Sequence, residues 1–226
     1  MLNSLFNSFD NIVVFDVETT GFDSKRDEII EIAVLKVVNE QNVPVVESEY
    51  CSLIRLTPNR SLPSAITNLT GISEQQLQED GVSKDSACAK VLEVLNCQKL
   101  LLVAYNAQFD LSFLYHFLSR QDKAGVLKDV KMLDVLTVYR DRRPYPHKLS
   151  DAAQAYSLGS GGAHRALDDA RVTFELLCAM GEETDDLARY VNLFGYNPKY
   201  GISGSKISSV KYLPQGYYRT NKLYEE

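Results

Sequence analysis

The sequence predicts a mixed α/β fold, one sheet flanked by helices, and three observations carry that prediction. Three β-rich runs follow one another near the N-terminus, at residues 12–21, 29–38 and 45–56. After them, helical patterns alternate with strand-like segments, and one of these, residues 99–105, is too apolar throughout for a surface element. A meander followed by alternating helices and strands is the pattern of a sheet covered by helices. The length of 226 residues, with 45% hydrophobic and 24% charged residues, allows one large domain, or one domain with an appendage.

The first run is Ile12-Val13-Val14-Phe15-Asp16-Val17-Glu18, and it stops at Thr19-Thr20-Gly21. Side chains two apart in a strand share a face, so Asp16 and Glu18 project together while Phe15 and Val17 pack on the other side. Two like charges held beside a core repel each other and resist desolvation. A hard divalent cation with oxygen ligands is the simplest compensation. An edge strand carrying two solvated acids would show the same pattern.

The second and third runs are separated by a polar turn, Asn39 to Pro44, and complete an antiparallel meander. Leu62 to Gly71 reads as a short helix closed by glycine, and Ser83 to Leu95 as an amphipathic helix capped by Ser83. After the buried strand at 99–105, Asn106 is expected to cap a helix with Phe109, Phe113, Leu114 and Phe117 inward. Met132 to Val138 fits either a strand or the start of a helix. Arg140 to Pro146 reads as a basic loop, Lys148 to Tyr156 as a short helix and Gly159 to Gly162 as a flexible loop. Arg165 to Met180 is a helix with Ala166, Ala170, Phe174 and Leu177 in register. Gly181 and the acidic run behind it mark the expected boundary: a domain at 1–181 and an extension at 182–226, with a short helix at Leu187–Phe194.

No apolar run approaches the length of a membrane span, and the first ten residues lack the basic and apolar parts of a signal peptide. Cys51, Cys88, Cys97 and Cys178 show no metal-like spacing, so they are expected to be reduced, mostly buried thiols of a cytoplasmic protein. The net charge of −6 excludes a protein that coats nucleic acid by bulk electrostatics. From Gly195 onward, five basic residues face two acids, which leaves the tail at +3 and the rest at −9. An acidic body handling a polyanion needs metal ions at its site.

Two further segments carry chemistry. Tyr105-Asn106-Ala-Gln-Phe109-Asp110 places Asp110 in the first turns of a helix, where the helix dipole alone would also favour a carboxylate. In His164-Arg-Ala-Leu-Asp168-Asp169-Ala, five helical residues turn a side chain through about 500°. His164 and Asp169 can therefore meet only if His164 sits on the glycine loop ahead of the helix. Together, Phe-Asp16-Val-Glu18-Thr-Thr-Gly, Tyr-Asn106-Ala-Gln-Phe-Asp110 and His164-x-Ala-x-x-Asp169-Ala resemble, in order and spacing, the motifs of the DnaQ-like (DEDDh) 3′→5′ exonucleases, which include the epsilon subunit of DNA polymerase III. Leu-Thr70-Gly-Ile-Ser and Leu133-Asp134 followed by His147-Lys-Leu add lesser resemblances. The likeness covers residues 10–180 or so.

The resemblance implies a ribonuclease H-like fold with a mixed five-stranded sheet. It implies two Mg²⁺ or Mn²⁺ ions held by Asp16, Glu18, Asp110 and Asp169, with His164 as general base. It places the 3′-terminal nucleotide at Thr19, Thr20 and Gly21, with Phe22, Asn106 and Phe109 as further contacts, although turn formation, capping and core packing explain these residues too. The expected activity is removal of 5′-monophosphates from single-stranded DNA 3′ ends in proofreading, replication or repair. RNA or short-oligonucleotide trimming is an alternative, and a non-catalytic module binding nucleic acid or a replication partner is another. The tail holds six tyrosines after Gly195 among its basic residues, a mixture that suits stacking on single strands, or equally a cover for an apolar patch. Tyr190-Val-Asn-Leu-Phe194 faintly resembles peptides that dock on sliding clamps.

Overall fold

Strands β1 (Asn11–Thr19), β2 (Ile29–Glu40) and β3 (Val43–Leu53) form the antiparallel meander. The turn between β2 and β3 is tighter than the sequence suggested: Gln41 and Asn42 both take positive φ, 52° and 69°, which suits the twist of a two-residue hairpin. Pro44 then falls inside β3, where an edge strand tolerates a missing donor. Strands β4 (Leu100–Ala104) and β5 (Lys131–Asp134) add in parallel, giving the order β3-β2-β1-β4-β5. This is the mixed five-stranded sheet expected. The computed structural model describes residues 2–159, 164–216 and 221–226.

The helices are α1 (Asn3–Phe6), α2 (Ser64–Thr70), α3 (Glu74–Glu79), α4 (Lys84–Leu95), α5 (Ala107–Ser119), α6 (Val135–Arg142), α7 (Leu149–Ala155) and α8 (Ala166–Glu183). Alternation along β1 divides the core into two layers. Ile12 and Val14 join Ala170, Leu176 and Leu177 of α8 on one face, while Val13, Phe15 and Val17 join Val91 of α4 and Leu111 and Leu114 of α5 on the other. Every residue of β4 is buried, as its unbroken apolar run requires. Gly71 closes α2 in the left-handed conformation, φ 71°, and the Ser83 side chain caps α4 by accepting the Ser86 N–H.

The ambiguous segment from Met132 is both things. It pairs as a strand up to Asp134, whose carboxylate then caps α6 by accepting from the Leu136 N–H and the Thr137 hydroxyl. Helix α6 continues to Arg142, into the stretch read as a loop. Helix α3 was not anticipated; its capping box pairs Ser73 with Gln76. Helix α8 runs through Gly181 to Glu183, and extended backbone resumes at Thr184. The expected helix at Leu187–Phe194 is instead a 3₁₀ turn, Leu187–Tyr190, followed by strand β6 (Leu193–Tyr196). The loop after Gly159 lies largely outside the described residues. All four cysteines are free, but only Cys88 is fully buried and Cys51 is exposed. Among the described residues no helix is long and apolar enough to cross a membrane.

Much of the tail is docked on the body. Asn192 donates its N–H to the Met132 carbonyl at 2.7 Å, and its side chain accepts the Met132 N–H at 2.8 Å. Strand β7 (Lys211–Pro214) pairs in parallel with β6. Tyr190 is fully buried, with its hydroxyl on Asp141, and the Tyr212 hydroxyl donates to the Gln108 amide oxygen at 2.5 Å. The Tyr224 ring packs edge-on against Tyr190. These tyrosines cover the body, whereas Tyr200 is 71% exposed; Tyr217, Tyr218 and Arg219 lie outside the described residues. Tyr190, Leu193 and Phe194 are all buried, which corrects the idea that this pentapeptide is a free clamp-docking peptide.

Candidate active site

Strand β1 outlasts its parallel partner. Its pairing with β4 ends at Val14, yet the strand continues to Thr19, so its last residues have no strand beside them on that side. Asp110, in the first turn of α5, reaches into the gap, and its Oδ1 accepts the Val17 N–H at 3.3 Å. Asp16 and Glu18 continue the face of Ile12 and Val14, toward α8. Asp169 stands in the first turn of α8, and His164 lies two residues ahead of that helix with φ 65°. The Asp169 carboxylate accepts the backbone N–H of His164. Ligand atoms of Glu18, His164 and Asp169 all lie within 4.8 Å of one another. Asp168, next in sequence, is about 100° away around the helix.

The cluster carries more acid than it can ionise at neutral pH without compensation. Burial pushes Asp16 well above the usual carboxylate range, and the charges of Asp110, Asp169, Glu18 and Glu31 push it further. Burial likewise raises Asp110, against the backbone N–H bonds that favour its anion. Glu18, 9% exposed, is raised to about 7 by burial and by the charges of Asp169 and Glu31. Asp169 is raised by burial, with His164 pulling the other way. Converging oxygen donors that resist ionisation together fit hard divalent cations, which would supply the missing positive charge.

The sequence reading missed Glu31. It is 1% exposed, near the start of β2, and directly opposite Glu18 across the strand pair. Arg165 grips it with Nε at 3.2 Å from each oxygen and one terminal nitrogen at 2.6 Å, and the Ala166 N–H donates to it at 2.9 Å. Glu31 thereby pins the start of α8, between His164 and Asp169, onto the sheet. A signal was available: one acid within Ile29-Ile30-Glu31-Ile32-Ala33 faces burial and so requires a partner.

Beyond β1 the chain forms a locked loop. The Thr19 hydroxyl donates to the Gly21 carbonyl at 2.6 Å, and Thr20 bridges the Asp27 carboxylate and the Glu28 N–H. A Cβ at Gly21 would lie 2.4 Å from an Asp27 carboxylate oxygen, so a larger residue would have to push that carboxylate off its bonds to Thr20 and the Asp23 N–H. A register shift between Glu18 and Thr19 lets the strand leave the ladder here. Phe22 projects outward, 87% exposed, with its ring edge-on to Phe109 at 6.5 Å between centroids. Phe109 is partly buried against Phe113. Asn106 does not cap α5 with its side chain, which corrects the sequence reading. It takes the left-handed conformation, φ 64°, and is exposed; the Asp134 carboxylate accepts the Ala107 N–H instead, at 3.1 Å.

Sheet order, flanking helices and the carboxylate-lined strand end together define a ribonuclease H-like nuclease domain. Residues 13–177 match the exonuclease family RNase_T, and the chain belongs to that family as a DnaQ-like exonuclease. It is similar to the PolC-type DNA polymerase III of Caldanaerobacter subterraneus subsp. tengcongensis, 34% identical over 179 residues, which are 77% of this chain and 12% of the relative. It is also similar to the 3′-5′ exonuclease DinG of Bacillus subtilis, 36% identical over 167 residues, 71% of this chain and 16% of that protein. The chain thus spans less than a fifth of the length of these relatives. In structure it is similar to E. coli exonuclease I in complex with a dA16 oligonucleotide, with a TM-score of 0.71 at 17% identity over 80% of this chain and 42% of that one, which shows the shared fold.

Proposed function

We propose that the protein removes nucleotides one at a time from the 3′ end of single-stranded DNA, releasing 5′-monophosphates, in proofreading, replication or repair within the cytoplasm. The observation that carries this reading is the convergence of Asp16, Glu18, Asp110 and Asp169, from three separate elements, on one strand end beside His164. These four carboxylates would hold two Mg²⁺ or Mn²⁺ ions, which when bound supply Lewis-acid stabilisation of charge at phosphorus. His164 takes the proton of the attacking water; its φ of 65° and its N–H bond to Asp169 fix its backbone beside the acids. The water oxygen bonds to phosphorus as the bond to the 3′-oxygen of the preceding nucleotide breaks, and that oxygen leaves with a proton from solvent. Backbone groups of Thr19 to Gly21 hold the terminal nucleotide in a loop that is already rigid, while Phe22, Phe109 and the exposed Asn106 line the approach. Residues 182–226 are an extension, and its described parts brace the domain through Tyr190, Asn192 and Ser205.

A 5′-labelled single strand with Mg²⁺ or Mn²⁺ is expected to give a ladder shortening from the 3′ end, and EDTA is expected to stop it. Immediate release of labelled mononucleotide, or cutting of a circular strand, would refute the assignment.

A further inference from the structure

Two adjoining clefts, of about 470 and 610 Å³, run from the edge of the site along one side of α5. The smaller begins between Phe22 and Phe109, which follow Gly21 and precede Asp110 in the chain, so its mouth lies at the rim of the site. The larger continues past Ser112 to Tyr115 and His116. Gln108, Ser112 and His116 stand four residues apart and form one stripe on α5, about 12 Å long. The opposite wall is the tail segment 203–209, which the Gln108 amide holds by donating to the Ser205 carbonyl at 2.9 Å. The walls therefore come from both the nuclease body and the extension.

The lining is positive on a protein of net charge −6. Lys25, Lys128 and Lys206 are exposed on it, and none of the three ammonium groups is in an ion pair with a described residue. Asp23 is the single acid among the lining residues, and it faces Arg26 at 3.6 Å. His116 feels this field: burial first, then the charges of Arg120 and Lys25, hold it below the ordinary histidine range. Half-exposed Tyr115 and highly exposed Phe22 give the cleft aromatic surfaces along its length. Lysines free of ion pairs, Lys206 with its ammonium 6.0 Å over the Tyr212 ring, stand beside aromatic faces, the combination that tracks a single strand by backbone charge and base stacking.

We propose that this cleft is the track for the nucleotides upstream of the scissile 3′ end, with the C-terminal extension as one of its walls. The proposal rests on the exonuclease reading, and it predicts that affinity grows with strand length. The test compares the wild type with the K128E/K206E and K128A/K206A variants, whose side chains are exposed and line the larger cleft rather than the one that begins at Phe22 and Phe109. Anisotropy measures binding of labelled oligo-dT and oligo-U of roughly 20 nucleotides across a salt series. Hydrolysis of the p-nitrophenyl ester of thymidine 5′-monophosphate reports on the terminal site alone.

The charge-reversed protein is expected to bind the long strands about tenfold or more weakly, and losing two phosphate contacts should flatten its salt slope by about 1.4. The alanine protein should follow in the same direction by less, and ester hydrolysis should match the wild type in both. Equal weakening for oligo-dT and oligo-U assigns the track to the phosphate backbone; a loss confined to one assigns it to that nucleic acid. Unchanged long-strand affinity and salt slope in the charge-reversed protein would overturn the track. Absence of all hydrolysis in the wild type would instead remove the exonuclease reading, while the binding comparison still decides the cleft.

Discussion

Glu18 and Glu31 stand directly opposite each other across β1 and β2, two buried acids in a single cross-strand pair. Like charges so placed are destabilising unless each has a separate partner. Glu31 has Arg165, while Glu18 turns toward His164 and Asp169. The division ties one acid to the start of α8 and leaves the other facing the cluster of His164 and Asp169.

Arg165 is therefore expected to act as a positioning residue. Its side chain is 49% exposed, so Arg165→Ala should cost roughly 2 kcal/mol of stability, below the figure for a fully buried pair. The larger effect should be on kcat, with KM for a short strand little changed, because the His164–Asp169 segment loses its anchor. Arg165→Lys should restore stability better than activity. If kcat survives Arg165→Ala at wild-type level, the anchoring role is wrong.

Removal of one central acid separates activity from stability. Asp16→Asn should lower turnover by about 10²–10³-fold or more, the scale for losing one preorganised electrostatic group. In EDTA at pH 8 the same variant should melt above the wild type, since folding no longer has to hold a buried, crowded carboxyl against ionisation. A variant that melts lower there would show that Asp16 is needed for folding.

The metal-free protein should lose stability as pH rises from 5 to 8. Glu18 titrates near 7 when folded against an ordinary value of 4.5, so below about 4.5 both folded and unfolded chains keep the proton. Between those values the unfolded chain ionises first, and above 7 the cost to folding is complete, about 3 kcal/mol at most. Asp16 and Asp110 act in the same direction. Glu28 and Glu183, both held below the ordinary range by cationic and hydrogen-bonding partners, act oppositely, and their contribution fades as pH falls through their lowered values. Calorimetry in EDTA should show a melting temperature that declines toward pH 8 and recovers on adding Mn²⁺. A flat profile would mean that the acids are not strained.

Asp169 and Asp168 should differ sharply. Asp169→Ala should remove nearly all turnover and Asp168→Ala little, because only the first faces Glu18 and His164. His164→Ala should lose activity while retaining cation affinity by calorimetry. Equal losses from the two aspartate variants would place α8 in another register.

The docked tail makes Tyr190 a core residue. Tyr190→Ala should destabilise by about 3–5 kcal/mol, and truncation after residue 181 should lower the melting temperature and promote aggregation. Urea denaturation measures both. A truncated protein as stable as the full chain would contradict the packing.

The strands and three of the site segments were legible because their signals are local. Asp16 and Glu18 interrupt a β-branched run, and an unbroken apolar run can only be a buried strand. Asp134 was ambiguous for a physical reason: it ends β5 and caps α6, so neither periodicity fills its window. Asn106 looked like a cap because its residue type suits one, but the carboxylate of Asp134, 27 residues beyond Ala107, accepts the first N–H of the helix. Glu31 needed Arg165, 134 residues distant, to make sense. The tail was least readable, since Phe194 and Tyr190 acquire their meaning only from the surface they meet.

The bonds of Asn192 to Met132 bear on assembly. An unpaired outer strand is a template for another chain, and proteins commonly suppress such templates. Asn192 occupies both backbone groups of Met132 at the centre of β5, so a strand arriving there would have to displace it. On the opposite border, Pro44 removes a donor from β3, and Glu47 and Glu49 line the strand with charge. Both margins of the sheet thus resist strand addition by different means, and neighbours are left to engage this domain through side chains and loops.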